Sequence, residues 1–162
     1  MEKRIKEIRK AIDNELYYCA LSLALTLPDI CGKNEYPNES NRRRYVNWFN
    51  NYAKSLFTCV STVLPDNETQ EYVWFSAEEC YALRCAYLHA GNYELDRVDL
   101  KNVHLHAHIR DGNNYSHIIR NSIFADWDVI EICKNLCDAV ELYCSNHTAC
   151  DMMTDEIRIE QW

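Results

Sequence analysis

The sequence predicts a mainly α fold: an antiparallel bundle of about four helices, with a small β-hairpin at about residues 100–124 inserted before the last long helix. Three glycines and three prolines in 162 residues are too few for a turn-rich β protein. Apolar residues recur at steps of three and four along several stretches, the period of helices that bury one stripe. At 48% hydrophobic, a chain of this length buries a real core, so residues 1–162 are expected to form one domain.

The first helix is expected through Ile5, Ile8, Ile12, Leu16, Cys19, Leu23 and Leu27. Beyond Leu16 its other faces also become apolar, which suits a central helix or a subunit interface. Pro28 lacks an N–H and should end or kink it. Cys31 to Ser40, with Gly32 and Pro37, reads as a connecting loop. A second helix should start near Asn41 and carry Tyr45, Trp48, Phe49, Tyr52, Leu56 and Phe57 on one stripe, a pattern that fits core better than a base-stacking platform. Pro65 to Gln70 reads as loop.

The third helix is the most specific. Ser76 and Glu79 have the spacing of a capping box, Phe75 can staple onto Cys80, and Gly91 supplies a left-handed exit, so the helix should run from about Ala77 to about Ala90. Arg84 and His89 lie on its second half. A guanidinium forks onto phosphate oxygens and an imidazole moves protons near neutral pH. On an α-helix, positions five apart differ by roughly 140° around the axis. Convergence then needs a long reach by the arginine, a frayed helix end, or a second copy of the chain. The bland alternative is an ordinary mid-helix arginine and a histidine favoured by the helix dipole.

The string Leu83-Arg84-Cys85-Ala86-Tyr87-Leu88-His89-Ala90-Gly91 resembles the signature of the HEPN superfamily, in which an arginine and a histidine are separated by four to six residues. The resemblance covers about these nine residues. It implies a helical bundle that dimerises so that two motifs face each other. Many members are metal-independent ribonucleases in toxin–antitoxin or antiphage systems; others only bind. Carried over by position, Arg84 would hold the scissile phosphate and His89 would act on the ribose 2′-hydroxyl or the leaving oxygen, with no cofactor. That family often has a polar residue after the arginine, where this chain has Cys85. Tyr87 and Asn92 are near enough in sequence to orient substrate.

Residues 1–54 hold ten Lys or Arg against seven Asp or Glu, whereas residues 55–162 hold seven against eighteen. The candidates for phosphate contact are therefore Arg42, Arg43 and Arg44, although an acidic chain of net charge −8 meets repulsion from RNA. Nine cysteines, an odd number, with no Cys-x-x-Cys pair and no basic leader before an apolar run, predict reduced thiols in a cytoplasmic, non-secreted chain. The longest apolar stretch, Leu16 to Pro28, is too short to cross a bilayer.

After Gly91 the period changes to two. Val103, Leu105, Ala107 and Ile109 alternate with His104, His106 and His108; residues 111–114 signal a turn; and Ser116 to Phe124 reads as the return strand, placing His117 beside the other histidines. Histidines two apart on a strand are ~7 Å apart and can share a zinc, but a polar solvent face is the preferred reading. Asp126 should cap a last helix reaching about Asn146. Three functions remain open: a dimeric HEPN-like endoribonuclease acting on RNA, a non-catalytic module that packs against a partner protein or binds RNA, and a metal-binding regulator that uses the hairpin histidines.

Overall fold

A computed structural model of the chain describes residues 1–63, 68–90, 95, 102–107, 119–120 and 124–146. The protein is mainly α. Its helices are α1 (Glu2–Asp13), α2 (Tyr17–Ala24), α3 (Leu27–Glu35), α4 (Asn41–Trp48), α5 (Ala77–Cys85) and α6 (Val129–Asn146). None is long and apolar enough to cross a membrane.

The expected first helix is divided. Glu15 takes a left-handed φ of 60°, and the Lys10 carbonyl accepts both the Asn14 backbone amide at 3.1 Å and its side-chain amide at 2.7 Å, closing α1. The break re-phases the buried stripe. Leu16 and Leu23, expected on it, are exposed, and Ala20, Leu21 and Ala24 are buried in their place. Pro28 opens a helix where it was expected to stop one. It stands in the first turn of α3, where a missing N–H costs nothing, and α3 then takes up much of the expected loop, as far as Glu35.

Gly32 sets how closely α3 meets α4. A Cβ there would lie 2.6 Å from the Arg44 carbonyl oxygen, so only glycine permits this approach. Beyond α4 the helix continues as a π-turn, Phe49–Ala53, and a 3-10 turn, Lys54–Phe57. The aromatic stripe is core: Tyr45, Trp48, Phe49 and Phe57 are fully buried. The Phe57 ring lies 5.0 Å from that of Trp74, and the Phe75 ring lies edge-on to Trp127 at 4.7 Å.

An antiparallel hairpin that the sequence reading missed joins β1 (Thr58–Val63) to β2 (Glu68–Val73), so Glu68 to Gln70 are strand, not loop. Its β-branched residues, including Thr58, Val60, Thr62 and Val63, were the available signal. Before α6 the strands β3 (Asn102–His106), β4 (Ile119–Arg120) and β5 (Phe124–Asp128) form a sheet in the order β3-β5-β4. The expected partner of residues 103–109 was a return strand at 116–124, yet β3 pairs with β5, and in parallel. Fully buried Ala125 and Trp127 alternate with their neighbours and extend this strand past Asp126. Asp128 therefore caps α6 instead of Asp126, its Oδ1 accepting from the Ile130 amide at 2.8 Å.

Helix α6 packs against α1, α2 and α3, with Ile132, Cys133, Leu136, Cys137, Val140 and Tyr143 fully buried. Cys31, Cys80, Cys133 and Cys137 are buried free thiols, and Cys19 and Cys59 are exposed ones. Cys144 is disulfide-bonded, which departs from the expectation of reduced thiols throughout.

Burial pushes the Cys31, Cys80 and Cys137 thiols up to about 12, and raises Cys133 as well. These groups hold their protons in the folded state while unfolded thiols ionise from about pH 8.5, so their contribution to stability is intact below that pH and is lost as pH rises toward 12. Iodoacetamide at about pH 8 should label Cys19 and Cys59 and spare the four buried thiols. The melting temperature should fall steadily above about pH 9. Mass spectrometry of the labelled protein and melting curves across pH check both outcomes.

Candidate functional site

The capping box that starts α5 is formed as its spacing implied. Ser76 Oγ accepts from the Glu79 amide at 3.3 Å, and the Glu79 carboxylate accepts from the Ser76 amide at 2.7 Å. Glu79 is buried. The far end of the expected helix differs, because after Cys85 the coil widens into a π-turn, Ala86–Ala90.

That widening resolves the spacing problem. In a π-turn the repeat joins residue i to i+5, so side chains five apart come round to the same side. Arg84 Nη1 lies 3.0 Å from His89 Nε2 within one chain, with no second copy required for the approach. A guanidinium has donors only, so Nε2 accepts and Nδ1 carries the imidazole proton.

The same arginine is held from behind. Asp29, in the first turn of α3, accepts from Arg84 Nη2 at 3.3 Å through Oδ2. Through Oδ1 it accepts from Arg44 Nε at 3.2 Å and Nη2 at 3.0 Å. Arg44, Arg84 and Asp29 side chains are 14%, 21% and 24% exposed, so solvent screens these pairs only in part. Two guanidiniums share one carboxylate, and Arg84 Nε is buried without a hydrogen-bond partner among the described residues. The cluster thus carries excess positive charge beside the exposed His89, an arrangement that can receive an anion.

The three consecutive arginines separate. Arg44 turns inward to Asp29, Arg42 pairs with Glu78 of α5 at 2.8 Å on the surface, and Arg43 is 74% exposed, 3.9 Å from Glu39. The Tyr87 hydroxyl donates to the Tyr18 carbonyl of α2 at 3.3 Å, and burial raises its phenol above the ordinary value. Asn92 lies outside the described residues. Cys85 is half-buried. Asp29 was missed by the sequence reading. Nothing local marks it, since it lies 55 positions from Arg84 and became visible only when α3 replaced the expected loop.

Of the strand histidines, His106 Nδ1 is 2.7 Å from Asp126 Oδ1, and His104 stands edge-on to Phe124 at 5.1 Å. His108 and His117 lie outside the described residues, and among those described no three His, Cys, Asp or Glu gather as metal ligands. The carboxylate beside His106 comes from β5.

No protein-family model, curated protein or solved structure matches the chain.

Removing Asp29 leaves Arg44 and Arg84 facing each other without a counter-charge. Asp29→Ala should lower stability by about 1–3 kcal/mol in chloride buffer, with phosphate at equal ionic strength restoring more of it than in the parent. Arg84→Ala in that background should remove the extra phosphate response. Thermal melts in the two buffers check it.

Proposed function

We propose that the chain is a HEPN-like RNA-processing protein, a metal-independent endoribonuclease that acts in the cytoplasm as a homodimer. The observation that supports this reading best is the 3.0 Å approach of Arg84 to His89 across a π-turn, since it joins a phosphate-binding fork to a proton acceptor. The resemblance at Leu83 to Gly91 is consistent with it.

In this reading a phosphodiester draws the Arg84 fork onto its non-bridging oxygens and releases Nε2 of His89. The imidazole takes the proton of the ribose 2′-hydroxyl, the 2′-oxygen attacks phosphorus, and the bond from phosphorus to the 5′-oxygen breaks. A proton delivered from imidazolium, of this copy or of one facing it, completes the 5′-hydroxyl. The products are a 2′,3′-cyclic phosphate and a 5′-hydroxyl, and Arg84 stabilises the charge that builds on phosphorus oxygens in between. Arg43, 74% exposed, is the arginine of the three best placed to meet a neighbouring phosphate, since Arg44 is turned to Asp29 and Arg42 is paired with Glu78. Tyr87, turned to α2, is not part of this chemistry.

A second reading has its own support. Both Nη atoms of Arg84 already have partners in Asp29 and His89, and Cys85 stands where HEPN domains often carry a polar residue. A non-catalytic module that binds RNA or a partner protein through this helix needs no release of Arg84.

Single-stranded RNA separates the two. His89→Ala and Arg84→Ala should each reduce cleavage by about 10²- to 10⁴-fold with helical content retained, and chelator should leave the parent rate unchanged. A parent that cuts no RNA at any pH, or a His89 variant that cuts as fast as the parent, contradicts the nuclease and leaves the binding module.

A further inference from the structure

Two guanidiniums against one carboxylate leave the Arg44, Asp29 and Arg84 cluster one net positive charge while His89 is neutral, and a proton on His89 makes it two. The site therefore has two charge states, set by one exposed imidazole. A phosphodiester, with a single negative charge, matches the first. The second matches a terminal phosphate, which carries about −1.5 to −2 near pH 7.

The two states do not share one geometry. Arg84 Nη1 is 3.0 Å from His89 Nε2 and uses the lone pair there as its acceptor. A proton on Nε2 takes that lone pair and leaves two cations face to face. An anion seated between them removes the conflict, because its oxygens accept from Nη1 and from Nε2–H together. Asp29 does not fill that place, since it meets Arg84 at Nη2 and is shared with Arg44. The α5 carboxylates are engaged elsewhere, Glu78 with Arg42 and Glu79 in the cap at Ser76. Among the described residues, the other titratable groups facing this region are Tyr45 and Cys80, buried beside Arg84, and Tyr18, Cys19 and Cys133, which meet the turn at Tyr87. None of these is a carboxylate.

We infer that the cluster is a proton-coupled receptor for a phosphomonoester dianion, which binds between Arg84 Nη1 and His89 as Nε2 takes up one proton from water. By linkage, the anion and the proton each raise the other's affinity by the same factor. The inference rests on the reading of Arg84 and His89 as a phosphate site and adds its regulation: a bound terminal phosphate occupies Arg84 and leaves His89 protonated, so it cannot take a 2′-hydroxyl proton. Strand cleavage is a separate matter. A protein that cuts no RNA yet couples proton and anion keeps the inference, and one that cuts RNA without that coupling contradicts the inference alone.

Sulfate is the first probe, because it stays a dianion throughout the range in which histidine titrates, so any pH dependence belongs to the protein. Methyl sulfate, a monoanion throughout, stands in for a phosphodiester. In protein-observed NMR titrations at constant ionic strength, sulfate should bind the intact chain about tenfold more tightly at about pH 5.5 than at about pH 8, and at the lower pH more tightly than methyl sulfate. Adenosine 5′-monophosphate should displace it and adenosine should not, which assigns the affinity to the terminal phosphate. His89→Gln keeps a polar side chain at an exposed position and does not titrate, so it should bind sulfate equally at the two pH values. Arg84→Met should lose the binding. No sulfate binding at about 50 mM, equal binding by the parent at both pH values, methyl sulfate as tight as sulfate at the lower pH, or a His89→Gln variant with the parent's pH dependence overturns the inference.

Discussion

One carboxylate, Asp29, holds the Arg84–His89 end of this molecule together. It ties α3 to α4 through Arg44 and to α5 through Arg84, and Arg84 in turn reaches His89. Each link has a local cause. Gly32 removes the Cβ that would collide with the Arg44 carbonyl and lets α3 lie against α4, and Pro28 in the first turn of α3 places Asp29 near that helix's start. Partly buried, the pairs gain more from Coulomb attraction than a surface pair would, and a carboxylate shared by two cations leaves positive charge to spare.

The second constraint is the width of the helix at Ala86. A regular α-helix carries Arg84 and His89 to different sides, and the π-turn brings them together. Such turns cost backbone regularity and are found mostly as single insertions, frequently at functional sites. Here the irregular turn also carries Tyr87, which faces α2 and a pocket walled by Tyr17 and Tyr18. One five-residue turn thus borders two chemically different surfaces, a cationic one and an aromatic one.

Much of this was legible from local pattern. The cap at Ser76 and Glu79, the long last helix running through to Asn146 and the burial of Tyr45, Trp48, Phe49 and Phe57 follow from spacing and side-chain chemistry alone. What escaped depended on competition between distant parts of the chain. The division at Glu15 was hidden because Leu16 and Leu23 continue a helical period that the packed structure does not use. The strand at Phe124 to Asp128 was hidden because Asp126 and Asp128 are both good caps, and only the burial of Trp127 chooses between them. Asp29 is invisible in a motif search because its partners are brought to it by helix packing. The overall acidity of the chain, −8, likewise says little about a cluster in which guanidiniums outnumber carboxylates.

The most direct measurement of the central claim, that the π-turn presses His89 Nε2 against Arg84, is long-range ¹H–¹⁵N NMR of the imidazole nitrogens in histidine-labelled protein. Contact with Arg84 requires His89 in its neutral form to carry the proton on Nδ1, with Nε2 as acceptor, and Arg84→Met should change that pattern while leaving His106 as it was. A His89 protonated on Nε2 in the parent, with a spectrum indifferent to Arg84→Met, would contradict it.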